Sequence, residues 1–134
     1  MRAFILLLIL FQARGVCAQN FESDVCTFLN DFYYQLVKEK TIIRGDSLYI
    51  FFVNNMNISC DSIPHRIGFP SKEWDKEFYI IDFKKNRREM LFVAYIVSFI
   101  DSTVDEIEIV GQYYFKYKRK KKRLQLILNE KGYI

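Results

Sequence analysis

Val25, Phe28, Leu29, Phe32, Leu36 and Val37 recur at steps of three and four, which draws one apolar stripe along a helix. Ser23 suits an N-cap, Asp24 suits the first turn, and Gly45 offers a stop, so the pattern predicts a helix over residues 23–40. Cys26 lies beside the stripe and is expected to face the body of the domain. Ser47 to Val53 is a short β-rich run with apolar residues at successive positions, as in a strand covered on both faces. From Asn54 to Asp75 the periodicity disappears and Asn, Ser, Asp, Pro and Gly collect, so an irregular connection carrying Cys60 is expected.

Four more strands are predicted at Glu77–Phe83, Glu89–Ile100, Asp105–Tyr117 and Arg123–Asn129. In the third of these, Ile107, Ile109, Gly111, Tyr113, Phe115 and Tyr117 alternate with mostly polar residues, predicting one buried and one wet face. Gly111 inside that run suggests a bulge or bend. The connectors at residues 84–88, 101–104 and 118–122 are short enough only for antiparallel neighbours. The expected fold is therefore α+β: an N-terminal amphipathic helix packed on a curled antiparallel β-meander of four to five strands. This outline is similar to cystatin-like and nuclear-transport-factor-like folds, by architecture alone, and carries no function with it.

The N-terminus changes the reckoning of charge and cysteines. Arg2, the apolar run Phe4 to Phe11 and the stretch ending Val16-Cys17-Ala18 have the three regions of an export signal cut after Ala18. The run is too short for a membrane span, which takes roughly 20 apolar residues. A retained anchor and a lipid on Cys17 are the rival readings; Arg14 and Val16 fit the second badly. A single domain over residues 19–134 is expected, periplasmic or extracellular. Cleavage removes Arg2 and Arg14 from 20 basic residues and nothing from 16 acidic ones, so 18 against 16 leaves +2. It also removes Cys17, leaving Cys26 and Cys60 as the natural disulfide pair in an oxidising compartment.

With net charge nearly cancelled, its placement matters. In a meander, alternate turns share one end of the sheet. Lys84, Lys85, Arg87 and Arg88 should then stand beside Lys118, Arg119, Lys120, Lys121, Lys122 and Arg123, about 10 Å apart at ordinary strand spacing. Asp101 to Glu106 should lie at the opposite end. Two cationic turns side by side suit an anionic partner: lipid head groups, a glycan or another polyanion. The plainer reading is a solvated hairpin tip whose lysines discourage edge-to-edge pairing. Tyr113, Tyr114 and Tyr117 run up to the basic turn, where rings could stack on sugars or bases, although such tyrosines commonly just pack.

Other motifs are weaker. Arg44-Gly45-Asp46-Ser47 matches an integrin-binding tetrapeptide, but the Gly has a simpler role in ending the helix. Asn57-Ile58-Ser59 is a sequon, so Asn57 is a glycosylation candidate, and three Asp-Ser pairs (at 46, 61 and 101) resemble bacterial O-glycosylation sites. His65 is the one histidine, which argues against a metal site and suits an exposed loop. Trp74, Phe69 and Phe78 would anchor the long loop on the sheet. There is no glycine-rich phosphate loop or nucleophile elbow, and no cofactor is expected. The leading expectation is a non-enzymatic exported binding module. The alternatives are a small-molecule pocket or weak hydrolase between helix and sheet, using His65, Asp82 or Glu89, and a structural or inhibitory interaction protein acting through a sheet edge or the long loop.

Overall fold

The computed structural model describes residues 21–54, 58–68, 77–99 and 107–133; the expected export signal, Asn57, Phe69, Trp74 and residues 101–106, expected as a turn, lie outside them. Residues 21–38 form helix α1. Its stripe is fully buried, with Val25, Phe28, Leu29, Phe32 and Leu36 all at 0 % exposure. Ser23 is not the cap: the helix already runs at residue 21, and the Ser23 carbonyl accepts the Thr27 hydroxyl at 3.0 Å. Nor does Gly45 end it. Lys40 takes a left-handed conformation (φ 61°), its N–H donates to the Val37 carbonyl (3.0 Å), and that of Thr41 donates to Leu36 (2.9 Å). That pair of bonds is a Schellman cap. Gly45 (φ 101°) instead serves the next turn, where the Tyr33 hydroxyl accepts the Gly45 N–H (2.9 Å) and donates to the Asp46 carbonyl (3.1 Å).

Six strands follow: β1 (Leu48–Phe52), β2 (His65–Ile67), β3 (Phe78–Asn86), β4 (Glu89–Phe99), β5 (Ile107–Lys120) and β6 (Arg123–Tyr133). They form one open, mixed sheet in the order β2-β1-β3-β4-β5-β6. The antiparallel meander is real for β3 to β6, but β1 lies parallel to both β2 and β3. The expected all-antiparallel sheet of four to five strands is corrected accordingly. Parallel pairing needs a long crossover, and the connection after residue 53, read only as irregular, is that crossover. It also carries β2, whose three residues are too few to show any alternation.

Aromatic rings fill the layer between α1 and the sheet. Phe28 stacks on Phe92 (centroids 4.4 Å apart) and meets Phe115 edge-on (5.3 Å), while Phe32 meets Tyr79 (4.9 Å) and Tyr113 (5.2 Å). These rings are essentially unexposed. The expected irregularity at Gly111 is present: Ile96 pairs with Gly111 and Val97 with Ile109, leaving Val110 bulged. A Cβ on Gly111 would stand 2.9 Å from the Gly132 carbonyl oxygen and 3.0 Å from Ile96 Cδ1, so only glycine fits. Because one extra residue reverses the alternation, Val110 packs on the core while Ile107 and Ile109 are exposed, contrary to the simple pattern. A second bulge leaves Ile127 unmatched between Lys116 and Tyr117.

Cys26 and Cys60 form the expected disulfide (Cα–Cα 5.6 Å), tying α1 to the loop ahead of β2. The loop also packs on its own account, since Ile58 and Ile63 belong to the core. His65 is not a free loop residue. It sits half-buried on β2, its Nδ1–H donating to the Ile63 carbonyl (2.8 Å) and its Nε2 accepting the Cys60 N–H (3.4 Å).

Candidate functional site: the cationic end of the sheet

The Asn86–Glu89 pair leaves Arg87-Arg88 as a two-residue turn, and the Lys120–Arg123 pair leaves Lys121-Lys122 as another. Strand β4 pairs with β5, and the Arg119 N–H donates to the Arg88 carbonyl at 2.8 Å, so the two turns are neighbours. A depression of about 540 Å³ between them is bordered by Arg87, Arg88, Lys118, Arg119, Lys120 and Lys121. Lys84, Lys85 and Lys118 to Lys120 stand on strand ends, not in the connectors where they were expected, because β3 and β5 run further than their apolar alternation. Lys and Arg extend a strand where their charged ends reach water.

Lys121 (φ 50°) and Lys122 (φ 68°) both occupy the left-handed region. That is the geometry of a type I′ hairpin turn, which favours Asn-Gly because a Cβ crowds the carbonyl there at about 1–2 kcal/mol per residue. Two lysines are poor residues for this turn on conformational grounds.

Among the described residues, Arg119 alone of the ten candidate cations has a carboxylate within ion-pairing distance: Asp24 in the first turns of α1. Asp24 is almost fully buried, and burial pushes its pKa up, with Arg119 and then Lys85 pulling it back only in part. Arg119 is half-buried and bound to the helix, whereas Lys84, Lys85, Arg87, Arg88, Lys118 and Lys120 to Arg123 are exposed.

The three tyrosines part company. Tyr113 and Tyr117 are buried under α1, where Tyr117 donates to Asp31 and Tyr113 to Glu39, both at 2.7 Å. Burial first, and the Glu39 contact with it, pushes Tyr113 up to about 12, even with Lys131 opposing. Lys131 lies 3.4 Å from Glu39 and over the Tyr113 ring. Burial would raise the Glu39 pKa, but hydrogen bonds from Gln35 and Tyr113 and the Lys131 charge outweigh it and hold Glu39 below the ordinary range. Tyr114 alternates to the face away from α1, with Val93 beside it and Tyr95 on the diagonal.

That second face holds what the sequence reading missed. Asp82, Lys84, Leu91, Val93, Tyr95 and Tyr114 line a shallow depression of about 180 Å³. The signal was present in β4, where Leu91, Val93 and Tyr95 are apolar at positions that alternate with the core residues Met90, Phe92, Ala94 and Ile96. No protein-family model, curated protein or solved structure matches the chain.

The polar groups considered for a site between helix and sheet do not converge. Asp82 and Glu89 pair with Val93 and Asn86, on the face away from α1, and His65 is engaged by its own loop. No group of three or more His, Cys, Asp and Glu residues suited to a metal occurs among the described residues. No described helix is long and apolar enough to cross a membrane.

Proposed function

We propose that the protein is an exported, non-enzymatic binding module, periplasmic or extracellular, whose cationic end contacts an anionic partner such as lipid head groups, a glycan or another polyanion. The observation that carries this reading is the Lys121-Lys122 turn. Its backbone favours Asn-Gly, yet it holds two exposed lysines with no ion pair among the described residues, beside a second turn of two exposed arginines. A residue kept against its conformational preference is a pointer to function. Charge alone would keep the hairpin soluble from many less strained positions.

Arg119 belongs to the fold through Asp24 and is left intact in the test. Replacing Lys120, Lys121 and Lys122 with Gln removes exposed charge alone. Each lysine close to an anionic bilayer is worth about 1 kcal/mol, so the triple variant should bind anionic vesicles roughly a hundredfold more weakly. On immobilised heparin it should elute at lower salt. Wild-type protein that ignores both supports at low ionic strength, or a triple variant that binds as well as wild type, would overturn the proposal.

A further inference from the structure

We propose that the depression on the face away from α1 is a subsite for the sugar rings of an acidic glycan, continuous with the cationic end and ordered so that sugars lie on Tyr95 and Tyr114 while their acidic substituents reach Lys84 and Lys118. This rests on the reading of the cationic end as an anion site and names the partner class.

Three observations favour a glycan over other polyanions. Tyr95 and Tyr114 are diagonal neighbours on adjacent strands, both half-exposed, and both line the depression. Flat apolar rings with polar edges suit the C–H faces of sugars, much as aromatic platforms suit bases. Asp82 lies in the same depression: its Oδ1 accepts the Phe83 N–H at 2.8 Å, and Oδ2 has no partner among the described residues. A carboxylate oxygen of this kind accepts hydrogen bonds from hydroxyls, which sugars supply in number and phosphate chains lack. Lys84 and Lys118 are exposed on the same face at the cationic end, without an ion pair among the described residues. Lys116, between them, is held by Glu89 at 3.2 Å.

A bilayer fits this face less well. Asp82 and Glu130 pair with Val93 and Tyr114 in one row of the sheet, so pressing the apolar side chains into lipid would desolvate two carboxylates. The rings also flank a hollow and do not project as a wedge.

The test uses the full mature chain with three probes: a heparin oligosaccharide, linear polyphosphate, and phosphatidylglycerol vesicles. Tyr114→Val keeps a residue suited to a half-buried strand and removes the ring; Tyr114→Phe keeps the ring. Thermal melting of each variant confirms folding, and Tyr95→Val repeats the test should Tyr114→Val fail to fold. The expected result is at least about fivefold weaker heparin binding by Tyr114→Val, the low end of what one stacked ring contributes to a bound base. Polyphosphate affinity should be unchanged, and Tyr114→Phe should bind as wild type. Equal losses on heparin and polyphosphate, no loss on heparin, or a loss confined to vesicles would each overturn the glycan assignment. Wild-type binding to polyphosphate without binding to heparin would overturn it too, while leaving the cationic end standing. If the lysine-to-glutamine triple variant keeps its affinity for every probe, the underlying anion-site reading fails instead.

Discussion

Replacing Lys121 by Asn and Lys122 by Gly should make the protein more stable while making it a poorer anion binder. Both lysines sit at positive φ, 50° and 68°, in a two-residue connection between β5 and β6. The left-handed conformation costs a residue with a Cβ about 1–2 kcal/mol. Glycine removes that cost at the second position, less roughly 0.5–1 kcal/mol for its greater freedom in the unfolded chain; asparagine removes part of it at the first. The two changes together should stabilise the fold by about 1–2 kcal/mol. For a chain of this size that is a rise in Tm of roughly 3–8 °C. Urea unfolding followed by circular dichroism provides the assay: the midpoint should rise with no change in slope, because no core surface is altered. An unchanged or lower midpoint in a normally folded variant would refute the assignment of strain to this turn. The Lys121-Lys122 turn would then no longer point to an anion site.

Reduction of the Cys26–Cys60 disulfide, or its replacement by two serines, should cost about 4 kcal/mol in the chain-entropy estimate for a separation of 34 residues, read as a fall in the urea midpoint. Gly111→Ala should cost at least about 1–3 kcal/mol, because its Cβ would meet a backbone oxygen at 2.9 Å that cannot rotate away; unfolding titrations would show it. Acid should act on the two ends of α1 with opposite sign. Glu39 has a lowered folded pKa, so its contribution is complete above the unfolded value near 4.5 and is lost as pH falls through the folded one. Asp24 has a raised folded pKa, so the native state takes up its proton first and gains stability as pH falls. Melting curves between pH 3 and 7 should therefore flatten on the acid side in Glu39→Gln and steepen in Asp24→Asn.

The parts of the fold written in short-range pattern were legible. The α1 stripe, the four successive antiparallel strands, the irregularity at Gly111 and the Cys26–Cys60 pair could all be read from residue types and spacing. What failed to show was held by contacts distant in sequence or by backbone conformation. Strand β2 is three residues whose place depends on β1, and the parallel β1–β3 pairing depends on a crossover that has no local signature. Lys40 closes α1 by conformation where a glycine would have announced the position, and Gly45 advertised a cap it does not provide. Alternation alone predicted Ile107 and Ile109 as core, because the bulge that turns them outward adds only one residue. At the candidate site, the adjacency of the two turns followed from strand order. The partition of the tyrosines followed too, since alternation along β5 sets Tyr113 and Tyr117 on the buried face and Tyr114 on the other. The hollow beside Tyr114 did not show, because Asp82, Val93 and Tyr95 reach it from strands whose register no local pattern states.

The bulge at Ile127 bears on how the molecule behaves in company. The sheet has two unequal borders: one formed by the three-residue β2, the other by β6, eleven residues long with Leu126, Ile127 and Leu128 all exposed. A straight apolar border of that length would recruit other chains by strand addition. The unmatched Ile127 interrupts the ladder in the middle of this apolar stretch, and the twist a bulge imposes leaves only short segments in line on either side. The residue that looks like a fault in pairing is therefore a safeguard of solubility, and deleting it would turn an awkward border into an adhesive one.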